Sequence, residues 1–166
     1  MVDSVLNSWR GASDRDRLLK VVQPGLIGLI DGTVSTLAPI FASAYLAGSR
    51  AALLVGLAAA LGAAISMGIS EGLSDDGTMT GRGDSLTRGT ITGIATFIGG
   101  SLHALPFLIN DVGTALAVAY PVVACELLAI AWVRRRFLRV PLTHSLVQVT
   151  LAGAMVAAVG VVVGQA

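Results

Sequence analysis

The run GLIDGTVSTLAPIFASAYLAG, Gly28 to Gly48, holds a single carboxylate, Asp31, and no other charged side chain. It is long enough to cross a bilayer, which takes about 20 mostly apolar residues. An acid inside such a run costs about 2.5–3.5 kcal/mol at mid-bilayer unless it meets a cation, a proton or water. The rest of the chain is of the same kind. Of its 166 residues 54% are hydrophobic and 13% charged, against about 25% charged in an ordinary soluble domain. These features specify an all-α integral membrane protein. The net charge of +1 gives no reason to expect a nucleic-acid partner. One cysteine, Cys125, has no second thiol with which to pair and suits a reducing compartment.

Four stretches read readily as spans: roughly 24–47, 51–73, 112–133 and 142–164. A fifth, roughly 86–109, is Thr- and Gly-rich and contains His103. With five spans, Arg10, Arg15, Arg17, Lys20, Arg82, Arg88, Arg134, Arg135, Arg136 and Arg139 fall on one side and only Arg50 on the other. Positive charge collects on the cytoplasmic side. The N-terminus is therefore expected inside and the C-terminus outside, in a multi-pass protein of the cytoplasmic membrane. Residues 1–22 read as a cytoplasmic arm without a signal peptide's apolar core, ending in a short juxtamembrane helix capped at Ser13. Residues 23–166 read as one transmembrane transport domain. Trp9 and Trp132 are expected at the membrane interfaces.

The acids have an expected depth. Counted from the turn near Gly48–Arg50, Asp31 and Met67 stand at matching distances on the two limbs of a hairpin. Glu71 lies one turn beyond Met67, about 6 Å nearer the cytoplasm, and Glu126 is about 12 Å inside Arg134. Asp31, Met67, Glu71 and Glu126 are thus expected to share one layer in the inner half of the membrane. Pro39 has no N–H, so the Ser35 carbonyl, one turn from Asp31, loses its helical donor and becomes a further ligand candidate. Gly56, Ala60, Ala64, Gly68 and Gly72 form a small-residue stripe that admits a close neighbour. Asp75, Asp76 and Asp84 are candidates to gather cations at an entrance, or else an ordinary solvated loop. Cys125 points about 100° away from Glu126, and His144 is expected at the interface.

The segments QPGLIGLIDGTVSTLAP, AAISMGISEG and SDDGTMTGRG, with HALPF at His103–Phe107, resemble the vacuolar iron transporter family over most of residues 23–164. The nearest likeness is to the membrane domain of bacterial membrane-bound ferritin-like proteins. The resemblance implies a five-span homodimer that exports ferrous ion from the cytosol, in exchange for protons, through a pore on the dimer axis. It implies that Asp31 is the aspartate of the translocation path, Met67 the methionine facing it, and Glu71 the glutamate of many bacterial members. The chain departs from the family in three ways. Its loop 75–84 replaces the metal-binding helices of plant-type members. A short arm stands where the ferritin-like domain would precede the first span, so a separate ferritin-like donor is the implied iron source. Ala59 and Ile30 replace a carboxylate and an asparagine seen in other members.

Carboxylate with thioether suits a borderline divalent ion, Fe2+ or Mn2+ as transported substrate rather than as a resident cofactor. Metal entering beside a protonated Asp31 expels the proton, which is the expected basis of antiport. Three other readings are export of Mn2+ or Co2+ by the same residues, a non-transporting assembly subunit docking through the glycine stripe, and an intramembrane hydrolase. The last would use Ser35 or Ser101 with His103, yet no nucleophile-elbow motif is present and His103 is expected toward the outer side. No enzymatic activity is expected.

Overall fold

The computed structural model describes residues 14–166, all of whose regular elements are helical. The cap at Ser13, Trp9 and the rest of the arm lie outside the described residues. A helical turn, α1 (Asp14–Arg17), passes through a π-helical turn (Leu18–Val22) into α2 (Gln23–Ser74). There follow α3 (Ser85–Leu102), a 3-10 turn (Leu105–Leu108), α4 (Val112–Leu138) and α5 (Leu142–Gln165). Three helical stretches are long and apolar enough to cross a membrane: Arg15–Ser74, Val112–Leu138 and Leu142–Gln165.

The first of these is a hairpin. At Gly48 the backbone turns to φ 81°, ψ −174°, a conformation from which a Cβ is excluded, and α2 folds back as two arms, 23–47 and 49–74. The Gly48 end is called here the tip. The base is the opposite end, which carries the 75–84 loop and Arg134–Arg139. The arms meet near the tip, where a Cβ on Gly56 would lie 2.8 Å from Ile40 Cγ1. Further down, α3 packs against both. A Cβ on Gly28 or Gly32 would collide with the carbonyl oxygens of Thr92 or Thr96. On the other side, one on Gly68 would lie 3.0 Å from Gly89 O and one on Gly93 2.9 Å from Ala64 O. The small-residue stripe is therefore filled by the chain itself, by Ile40 and Ala104 at Gly56 and by α3 further down, and does not stand open for the partner of the assembly-subunit reading.

The structure shortens the expected 86–109 segment. Asp84 caps its start by accepting from Thr87 N at 2.8 Å. Its helix ends at Leu102, whose carbonyl would take the N–H that Pro106 lacks, and the chain leaves as a 3-10 turn. Pro39 and Pro121, by contrast, stay within continuous helices. The remaining helices cover the first arm: α5 approaches so closely that a Cβ on Gly160 would lie 2.6 Å from Ala38 O. Leu37, Ile40, Phe41 and Ala44 of that arm form the core with Ala115, Ala119 and Ile130 of α4. Phe41 stacks on Tyr120 with ring centroids 5.1 Å apart.

Candidate functional site

Asp31 lies on the face of the first arm turned away from the glycine contacts with α3. It is half-buried between exposed Ile27 and exposed Ser35, each one turn away. No hydrogen bond or ion pair reaches its carboxylate from any described residue. Pro39 leaves the Ser35 carbonyl without a helical N–H donor, so two oxygen groups one turn apart are free on this face.

Met67 is half-buried on the second arm, next to exposed Ser66 and Ser70. It is not level with Asp31. Gly32 packs between Thr96 and Gly100, and Gly68 between Gly89 and Gly93. At 1.5 Å per residue along α3, Met67 then stands about 7 Å nearer the base. Counting from Gly48 treats the arms as parallel rods, whereas α3 sits between them and sets their relative height. Side chains offset part of the stagger. A Cβ leans toward its helix N-terminus, so Asp31 leans to the base and Met67 to the tip.

Glu71 does not join them. Its Oε1 accepts from Arg82 Nη2 at 2.7 Å and Arg88 Nε at 3.0 Å. Arg88 is 0% exposed and also donates to the carbonyls of Gly83 at 2.8 Å and Asp75 at 2.6 Å. Glu71 and Arg88 thus fasten the loop to α2 and α3, with the carboxylate charge already matched. The spacing of the chain hid this pair, since the partners are seventeen residues apart.

The loop carboxylates are similarly employed. Asp75 accepts from Thr80 Oγ1 and from Gly77 N, and Asp76 from Thr78 N at 2.9 Å and Thr78 Oγ1 at 2.7 Å. Hydrogen bonding from the Thr80 hydroxyl and then the Gly77 amide lowers the pKa of Asp75. For Asp76 the backbone and then the side chain of Thr78 do the same. Both remain ionised, but they serve as turn acceptors, and the solvated-loop reading describes them.

Glu126 is also withdrawn from the expected layer. Its Oε2 lies 2.8 Å from His103 Nδ1, and His103 Nε2 lies 2.8 Å from Thr36 Oγ1. The Thr36 hydroxyl donates to Gly32 O at 2.8 Å, so it accepts from a protonated Nε2. His103 is 0% exposed and Glu126 7%. The network sits at the height of Thr36, five residues or about 8 Å tipward of Asp31. His103 therefore lies far deeper than expected, because α3 ends mid-way. It bonds to neither Ser35, which faces outward, nor Ser101, whose buried hydroxyl has no partner; the hydrolase arrangement is not formed. Cys125, on the same helix, is exposed.

Among the described residues no three His, Cys, Asp or Glu side chains converge to hold a metal ion. What one chain offers is a lone carboxylate with a carbonyl one turn away on the first arm, and a half-buried thioether on the second. No family model, curated protein or solved structure matches this chain.

Proposed function

We propose that the chain exports a divalent transition metal, Fe2+ or Mn2+, from the cytosol in exchange for protons, as a five-span homodimer of the vacuolar iron transporter type. One observation carries this reading: Asp31 is an intramembrane carboxylate to which no described residue supplies a counter-charge, whereas Glu71 is held by Arg82 and Arg88, and Glu126 is tied to His103 through one oxygen with its buried Oε1 left without a partner. An acid in that position pays for its desolvation only by binding something that enters. The open row Ile27–Asp31–Ser35 supports a second copy packing there, which would double the carboxylate and thioether count and enclose the path. Accumulation of arginine at the base, with Arg50 alone at the tip, supports a cytoplasmic base. The likeness of DGTVST and SMGISEG to the family supports the same ligands, less Glu71.

The test is metal flux in proteoliposomes under an imposed pH gradient. Fe2+ or Mn2+ movement driven by an opposing proton gradient, and absent in Asp31→Asn, is the expected result. Equal flux through wild type and Asp31→Asn refutes the proposal, and flux indifferent to the gradient refutes the exchange.

A further inference from the structure

The base carries a second feature that metal transport leaves unused. Arg15 and Arg17 of α1 face Arg136 and Arg139 at the end of α4 across one hollow of about 630 Å³. All four are exposed, and no carboxylate among the described residues pairs with any of them. The nearby cations are otherwise occupied: Lys20 is bonded to Asp16 at 2.9 Å and Arg134 to Gln148 at 2.8 Å. Apolar Leu18 and Phe137 complete the wall, and the Arg136 guanidinium lies 5.4 Å from the Phe137 ring centroid. Arg139 closes α4 in the left-handed region, φ 57° and ψ 22°, where a residue with a Cβ is disfavoured.

Four guanidiniums around one concavity repel one another unless an anion sits among them. Their forked donors match phosphate oxygens. The hollow lies where the apolar lengths of α2 and α4 give way to charge, at headgroup height, and half its lining is apolar. We infer that this hollow is a binding site for an anionic phospholipid, with the Arg15–Arg17 and Arg136–Arg139 walls each taking a phosphate group of a two-phosphate headgroup. Basic pockets at the cytoplasmic ends of helices hold such headgroups. The apolar half of the lining accommodates the glycerol and first methylenes, which a soluble phosphate lacks. The site stands whether or not the protein moves metal.

The experiment uses the full chain, purified in detergent and titrated with cardiolipin, phosphatidylglycerol, phosphatidylcholine or inorganic phosphate. Bound lipid is counted by native mass spectrometry and the thermal unfolding midpoint is followed in parallel. Cardiolipin is expected to be retained and to raise the midpoint most, phosphatidylglycerol less, and phosphatidylcholine not at all. At about fivefold per arginine, Arg136→Gln with Arg139→Gln, or Arg15→Gln with Arg17→Gln, should weaken cardiolipin binding roughly 25-fold. Arg50→Gln, at the tip, should leave it unchanged. Equal retention of phosphatidylcholine, or undiminished binding by both double variants, overturns the site. A midpoint shift reproduced by inorganic phosphate alone overturns its assignment to lipid. The exposed positions of all four arginines keep the variants foldable, and the mass count reports binding independently of stability.

Discussion

Asp31 and Glu71 stand on opposite arms of one hairpin, and their surroundings differ in kind. Glu71 is enclosed by two guanidiniums, one of them fully buried, and its charge is spent holding a loop against two helices. Asp31 has a free serine carbonyl as its neighbour and no cation. Glu126 stands between the two: its Oε2 is tied to His103, while its buried Oε1 has no partner. A carboxylate inside a membrane protein thus does one of two jobs, and its partners tell which. On the proposed reading, the matched acid is a fastening whose removal loosens the fold, while the unmatched acid is one whose removal spares the fold and stops transport.

The largest expected effect separates the two directly. Asp31→Asn should cut metal flux well over tenfold, at least the loss that follows damage to a metal's supporting shell, while its unfolding midpoint stays at or above that of wild type. A destabilised Asp31→Asn protein would instead make Asp31 another fastening. Arg88→Leu should lower stability by about 3–5 kcal/mol, the cost of stranding a buried partner charge, measured by denaturant or thermal unfolding in detergent. Arg82→Leu, whose side chain is 23% exposed, should cost clearly less. Glu126→Gln retains an acceptor for His103 and should cost about 1 kcal/mol; Glu126→Ala strands the ring nitrogen and should cost about 1–3 kcal/mol. Both should leave flux per folded molecule closer to wild type than Asp31→Asn does.

The smallest effect is one of pH. Asp75, Asp76, Asp84 and Asp111 have lowered pKa values, chiefly through hydrogen bonds from Thr80, Thr78, Thr87 and Thr114 respectively. The folded state then holds these protons less tightly than the unfolded chain, in which aspartate titrates near 3.9. Their contribution is complete above that value and fades as pH falls through the lower folded-state values. The unfolding midpoint should accordingly be flat with respect to these groups above about pH 5 and decline below about pH 4. Asp84→Asn and Asp111→Asn should make that decline shallower.

Much of the architecture could be read from residue patterns. The apolar runs mark the helices, Gly48 marks the fold-back, and the four-residue stripe from Gly56 to Gly72 marks a close helical neighbour. Asp31 stood out because one charge in an uncharged run is visible without a structure. Pairings were not visible. Glu71 with Arg88, and Glu126 with His103, join residues seventeen and twenty-three apart, and no helical period links them. The depths of Met67 and His103 were misjudged for a shared reason. Residue counting gives distance along a helix, while tilt and early termination decide height in the membrane. One signal in the sequence does forecast the end of α3: Pro106 has no N–H for the carbonyl of Leu102.

The glycine contacts also govern which parts can shift. Where main chain rests on main chain, as for α3 against both arms and α5 against the first, no layer of rotatable side chains remains to absorb sliding, and these pieces travel as a single block. Helix α4 is different: apart from the Glu126–His103 bond it leans on that block through rings and aliphatic branches, which can re-seat. A change of shape in this molecule has its cheapest route there, and mobility measured along the chain should be greatest in that one cylinder.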